Sequence, residues 1–174
     1  MKLIFVSGLA DIDKAALIDL AIQRSGRKSA FTLVDLGTIS DISGAMKEAE
    51  DMSSARLALA KYYERIEKAM IARLKEQKGD LLVSGCLTFG TKFGYVRGVT
   101  EDFFRSFKPD IMVIFEKEGE GKDSIDSATA EQQRINRYFG TIYSSTAGSA
   151  IKIIKFREKK MIEAVSELSE VLKC

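Results

Sequence analysis

The segment Met1–Gln23, MKLIFVSGLADIDKAALIDLAIQ, passes from an apolar run through a glycine turn into a helical pattern. Lys2–Val6 reads as a strand covered on both faces, because its apolar residues follow one another without alternation. Gly8 breaks that run. Leu17, Leu20 and Ala21 then share a helix face, and Gly26 follows as a stop signal. A strand, a short turn and a helix in this order point to an α/β fold, with the turn at the C-terminal edge of a parallel sheet, where such folds place their ligands.

The turn invites comparison with the phosphate-binding pattern G-x-x-x-x-G-K-[S/T]. There, backbone N–H groups wrap a phosphate, the lysine reaches it and the hydroxyl binds Mg²⁺. Gly8 and Lys14 stand at the required spacing, but Asp13 replaces the second glycine and Ala15 replaces the hydroxyl residue. Ala15 removes a direct metal contact, and Asp13 brings negative charge to the cradle. One unit-charge repulsion at ~5 Å and an effective dielectric of ~20 amounts to roughly 3 kcal/mol. The helix dipole offsets only part of that. From the residues alone, an ordinary βα turn and a degenerate phosphate loop stand side by side.

Further strands are expected at Ala30–Val34, Leu81–Ser84, Ile111–Phe115 and Ala150–Phe156. The last alternates, as an edge strand does. Between them, a long helix is expected from Ser53 to Gln77 on Leu57, Ala60, Ile66, Met70 and Leu74. Another is expected around Ile135, Phe139, Ile142 and Tyr143, and a last one on Met161, Val165, Leu168 and Leu172. Strands alternating with helices make a parallel sheet with right-handed crossovers.

Composition narrows the chemistry. The chain has 174 residues, 45% hydrophobic and 30% charged, a size and balance suited to one domain with a substantial core. It has no histidine, which removes imidazole bases, His-based triads and the usual zinc sites. Cys86 and Cys174 form no metal pattern and read as free thiols. The net charge of +2 comes from 27 basic and 25 acidic residues mixed along the chain, so nucleic acid is not an expected partner. No apolar run reaches the length of about 18 residues that a membrane span needs, and no signal peptide is apparent, so a cytoplasmic location without membrane contact is expected.

The stretch GDLLVSGCLTFGTKFGYVRGVTEDFFRSFKPDIMVIFE, with Gly94, Tyr95 and Gly98 and the Pro109–Asp110–Ile111 opening of a strand, resembles the archaeal adenylate kinases. The stretch EQQRINRYFGTIYSSTAGSAIKII resembles their last helix and strand through Gln132, Asn136, Arg137, Tyr143, Gly148 and Lys152. The likeness runs along most of the chain. It implies a three-layer P-loop kinase fold of the nucleoside monophosphate kinase type, with a five-stranded parallel sheet in the order 2-3-1-4-5. It implies one domain over residues 1–174 with a lid remnant at about 116–128, ATP-, ADP- or AMP-class nucleotides as ligands, and a homo-oligomer. Under it Gly8, Leu9, Ala10, Asp11, Ile12, Asp13, Lys14 and Ala15 become the nucleotide-phosphate loop, and Lys14 and Arg137 the catalytic cations. No residue is assigned to a metal; Mg²⁺ accompanying ATP is expected to be held by the nucleotide and water.

The departures from that family are as informative. Its phosphate loop has Gly and Thr at the positions of Asp13 and Ala15, its third strand ends in an acidic residue where Ser84 stands, and its arginine-rich lid is replaced by EKEGEGKDSIDS. Phosphoryl transfer depends on positioning and charge neutralisation, and each loss touches one of these. Phe89, Phe93 and Tyr95 interleave with Lys92 and Arg97 in a set suited to stacking a base and holding a phosphate, or to packing a glycine-rich loop on the core. Phe89, Tyr95 and Arg97 are the substrate-binding candidates. Asp35, ending the second strand, suits a ribose contact or a turn. Two functions follow: an adenylate-kinase-like enzyme that is weak or altered in substrate, or a non-catalytic descendant that binds a nucleotide or a partner.

Overall fold

A computed structural model describes residues 1–27, 30–76, 79–119 and 125–173. Five strands form one parallel sheet: β1 (Leu3–Ser7), β2 (Phe31–Asp35), β3 (Asp80–Ser84), β6 (Ile111–Lys117) and β7 (Ala150–Phe156). β4 (Thr88–Thr91) and β5 (Gly94–Arg97) make a separate antiparallel ribbon. The sheet order is β2-β3-β1-β6-β7, which reads 2-3-1-4-5 when the ribbon is left out of the numbering. Every neighbouring pair in the large sheet is parallel.

The helices are α1 (Lys14–Ser25), α2 (Leu36–Ile39), α3 (Ile42–Glu48), α4 (Met52–Glu76), α5 (Glu101–Phe107), α6 (Ser127–Ala147) and α7 (Met161–Lys173). Alternate residues of the central strands face opposite layers, so one sheet serves two cores. Phe5, Leu81, Val83 and Ile114 meet Tyr62, Ile66 and Met70 of α4, Phe104 of α5 and Tyr143 of α6 on one side. Ile4, Val6, Leu82 and Val113 meet Leu17 and Ile18 of α1 and Leu168 and Leu172 of α7 on the other. Phe104 stacks on Tyr143 at 4.7 Å between ring centroids, which ties α5 to α6.

The helix ends follow local rules. Asp13 caps α1 by accepting from Ala16 N at 3.0 Å, and Gly26 closes it at φ 72°, a left-handed conformation that costs glycine little. Gly148 closes α6 in the same way at φ 71°.

Three expectations need correction. Leu20 is 40% exposed and lies outside the buried face of α1, which is made by Leu17, Ile18, Ala21 and Ile22. The long helix is Met52–Glu76, its expected end Gln77 lying outside the described residues, and its buried stripe is Ala55, Tyr62, Ile66 and Met70. Leu57, 58% exposed, and Ala60 point outward. At ~3.6 residues per turn Leu57 sits half a turn round the helix from Ile66. The stretch around Phe89 and Tyr95 is a two-stranded ribbon.

Candidate functional site

The C-terminal ends of β1, β2 and β3 open onto a cleft of about 430 Å³, within the usual range for small-ligand sites. The β1–α1 loop forms one wall. Two of its residues belong to the core: Leu9 is 3% and Ile12 2% exposed, both packed in the layer under α1 and α7. Gly8 is held close to β6, where a Cβ would lie 3.2 Å from the Phe115 carbonyl oxygen. Ile12 N donates to Leu9 O at 3.2 Å and Lys14 N to Ile12 O at 2.8 Å, so these amides bond within the loop itself.

Lys14 is buried, and its ammonium turns under the loop. Nζ donates to Leu9 O at 2.9 Å, to Ile12 O at 3.3 Å and to Cys86 Sγ at 3.6 Å. An ammonium has three N–H groups, and all three are engaged. Burial pushes the Cys86 thiol up and outweighs the opposite pull of Lys14, so the sulfur beside the ammonium remains a neutral thiol at pH 7.

The other charged groups of the cleft are carboxylates: Asp11, Asp13, Asp35 and Asp41. Asp13 caps α1, Asp35 caps α2 through Gly37 N at 3.1 Å, and Asp41 caps α3 through Gly44 N at 2.9 Å. Asp11 pairs with Lys117 at 2.5 Å, which ties the loop to the end of β6. For a carboxylate ~8 Å from an incoming phosphate, repulsion at an effective dielectric of ~20 is roughly 2 kcal/mol before screening. Tyr62 and Ser84 complete the floor, with only 3% and 1% exposure. Burial, with Cys86, Tyr63 and Asp35 nearby, pushes the Tyr62 phenol well above its usual range, so it stays a donor.

Lys14 and Arg137 line different cavities. Arg137 lines a second one of about 450 Å³ beside the ends of β6 and β7. There its guanidinium forks onto Glu116, with Nε at 2.9 Å from Oε1 and Nη2 at 2.6 Å from Oε2, and Lys155 adds a third bond at 2.9 Å. Burial raises the affinity of Glu116 for its proton, but the bonds from Arg137 and Lys155 win and hold its carboxyl below the usual carboxylate range. Glu116 and Glu118 of the expected lid remnant stand at the end of β6, while residues 120–124 of that stretch lie outside the described residues.

Of the substrate-binding candidates, Phe89 reaches the cleft. Tyr95 stands opposite Gly90 on the other face of the ribbon and is 41% exposed. The carbonyl of Arg97 accepts from Tyr63 Oη at 2.7 Å. Lys92 lies over the Phe93 ring at 5.2 Å. The residues quoted for the family resemblance in α6 brace this region. Gln132 Nε2 donates to Thr88 O at 3.3 Å, Asn136 accepts from Thr88 Oγ1 at 2.5 Å, and Tyr143 Oη donates to Val99 O at 3.2 Å. Gly98 is fixed by space: a Cβ there would lie 2.0 Å from Cys86 O.

Sequence reasoning missed Tyr62, Asp41, Cys86 and Glu116. Tyr62 carries a signal, since it precedes Ile66 and Met70 at four-residue spacing on one helix stripe. Glu116 carries none, because its partners lie 21 and 39 positions away.

A parallel sheet in this order, covered on both faces and carrying a Gly8–Lys14 loop between its central strand and first helix, defines a P-loop kinase-type α/β fold. A GTPase of Pyrococcus abyssi in its apo form shares the fold, with a TM-score of 0.54 at 13% identity over 97% of this chain and 72% of that one. No family model matches the chain. An adenylate kinase of Thermoplasma volcanium is 25% identical, with 97% of this chain and 98% of that protein aligned. The adenylate kinase of Thermoplasma acidophilum is 24% identical over 96% of each chain, and that of Pyrococcus furiosus 25% identical over 97% of this chain and 94% of its own. The chain is similar to these archaeal adenylate kinases along nearly its whole length. Among the described residues no helix is long and apolar enough to cross a membrane.

Proposed function

We propose that the chain is a nucleotide-binding protein of adenylate kinase descent that transfers phosphoryl groups at no more than a residual rate. One observation carries this reading. The lysine that would neutralise a phosphate has its three N–H groups engaged by Leu9 O, Ile12 O and Cys86 Sγ. The helix end that would face the phosphate is capped by the Asp13 carboxylate.

The loop chemistry does not fit ATP with Mg²⁺ bound in the family's manner. Ala15 offers no oxygen to the metal, Ser84 offers no carboxylate at the end of β3, and Lys14 would have to break three bonds to reach a phosphate. Arg137, the other expected catalytic cation, is bound to Glu116 in a separate cavity. The kinase descent and the cleft at the ends of β1–β3 support nucleotide binding; the altered loop argues against efficient transfer.

Calorimetric titration of the full chain with ADP, with and without Mg²⁺, tests the reading. Binding is expected with a Kd that Mg²⁺ changes by less than about threefold. Lys14→Ala is expected to lower the melting temperature yet change ADP affinity by less than about fivefold, roughly one neutral hydrogen bond. A loss of about 100-fold on Lys14→Ala, in protein that remains folded, would show that the ammonium does reach the phosphates.

A further inference from the structure

We infer that the cleft at the ends of β1, β2 and β3 selects the uncharged nucleoside part of its ligand, and binds an unphosphorylated nucleoside more tightly than the same nucleoside with phosphates. This deepens the nucleotide-binding reading and rests on it.

Tyr62 and Ser84 line the floor of the cleft at 3% and 1% exposure, and neither hydroxyl has a hydrogen-bond partner among the described residues. Neither is sealed in the interior, since among those residues Ser169 Oγ is the unpartnered side-chain atom that is fully enclosed. Both hydroxyls therefore meet the cavity. Hydroxyls with this little exposure ordinarily have partners, so a pair left open in one polar cavity marks a place where a ligand supplies them.

The charges around this floor specify the ligand. Asp13, Asp35 and Asp41 each commit one oxygen to a helix cap, which leaves the second oxygen of each for another donor. Among the described residues lining the cleft the cation is Lys14, and it is engaged under the loop. The cleft thus presents acceptors, neutral hydroxyls and the Phe89 ring. A ribose diol and the amino group of a base bring donors to carboxylates, and a base brings a flat face to Phe89. A phosphate brings only acceptors and negative charge. Each added phosphate meets more repulsion and, among the described residues lining this cleft, finds no cation besides the engaged Lys14.

The experiment is titration of the full chain, at fixed ionic strength without Mg²⁺, with adenosine, guanosine and cytidine and the mono-, di- and triphosphates of each. At least one nucleoside is expected to bind, with Kd rising at least about threefold for each phosphate added. In the double variant Asp35→Asn/Asp41→Asn, whose amide oxygens still cap α2 and α3, that gradient is expected to shrink to less than about twofold per phosphate. Tyr62→Phe keeps the ring in the core and is expected to weaken the nucleoside about fivefold, one neutral hydrogen bond, with the melting temperature checked in parallel. Kd values that fall as phosphates are added would overturn the inference while leaving the nucleotide-binding reading in place. A gradient unchanged by the double variant would also overturn it. Failure of the whole series to bind would overturn both.

Discussion

Replacing Glu116 by glutamine should destabilise the protein by an amount that depends on pH in a defined direction. Glu116 is 2% exposed at its side chain and accepts from Arg137, 54% exposed, and Lys155, 50% exposed. A hydrogen bond to a charged group contributes about 1.5–3 kcal/mol. Both cations are half in water and can be resolvated when the carboxylate charge is lost, which roughly halves the cost. Glutamine keeps the shape and one acceptor, so the expected loss at pH 7 is about 2 kcal/mol. For a chain of this size that is a fall in melting temperature of about 4–8 °C. The sign of the pH dependence follows from linkage. The folded carboxyl titrates below its ordinary value, so its stabilisation is complete above the unfolded pKa of about 4.3 and is lost as pH falls through the folded pKa. Urea unfolding of the parent and of Glu116→Gln at pH 7 and at pH 3 is the assay. The gap between them should narrow towards zero at the lower pH. A gap equal at both pH values would mean that glutamine perturbs packing, and that the charges of Arg137 and Lys155 contribute nothing.

Gly98→Ala should be among the most damaging single changes, since its Cβ would sit 2.0 Å from the Cys86 carbonyl oxygen. A loss of more than about 3 kcal/mol, or failure to fold, is expected by urea unfolding, and a stable variant would contradict the close approach of Gly98, just after β5, to the β3–β4 loop. Asp13→Gly with Ala15→Thr introduces at the β1–α1 loop the Gly and Thr that the adenylate kinase resemblance implies there. Glycine costs the α1 cap only a few tenths of a kcal/mol, so the fold should persist. The affinity for ATP should then rise at least about tenfold in the presence of Mg²⁺, and an unchanged Kd would show that Asp13 and Ala15 are not what weakens the loop.

The sheet was legible because β1, β3 and β6 are short runs of adjacent apolar residues. Gly26 marked a helix end that only a residue tolerant of positive φ fills without cost. The ribbon of β4 and β5 was not legible as strands. Each is four residues long and carries a glycine, and polar Thr88 and Thr91 interrupt any apolar pattern. Leu20 and Leu57 misled because a single leucine on a helix carries no direction; the stripe through Tyr62, Ile66 and Met70 gives α4 its direction. At the site, Gly8, Asp13, Lys14 and Ala15 could be singled out by spacing alone. The inward turn of Lys14 could not, because it depends on Leu9 and Ile12 anchoring the loop in the core and on Cys86 arriving from β3. The floor made by Tyr62 and Ser84 likewise exists only once α4 packs on the sheet and brings Tyr62 to the same cleft as the end of β3.

The most direct measurement is the rate of phosphoryl transfer from ATP to AMP with Mg²⁺, by the purified full chain at saturating nucleotide. With Lys14 engaged by Leu9, Ile12 and Cys86 and Arg137 bound to Glu116, turnover should stay below about 0.01 s⁻¹, at least a hundredfold under the ~1–100 s⁻¹ of ordinary kinases. A kcat within that ordinary range, abolished by Lys14→Ala, would contradict the reading that this loop no longer serves phosphoryl transfer.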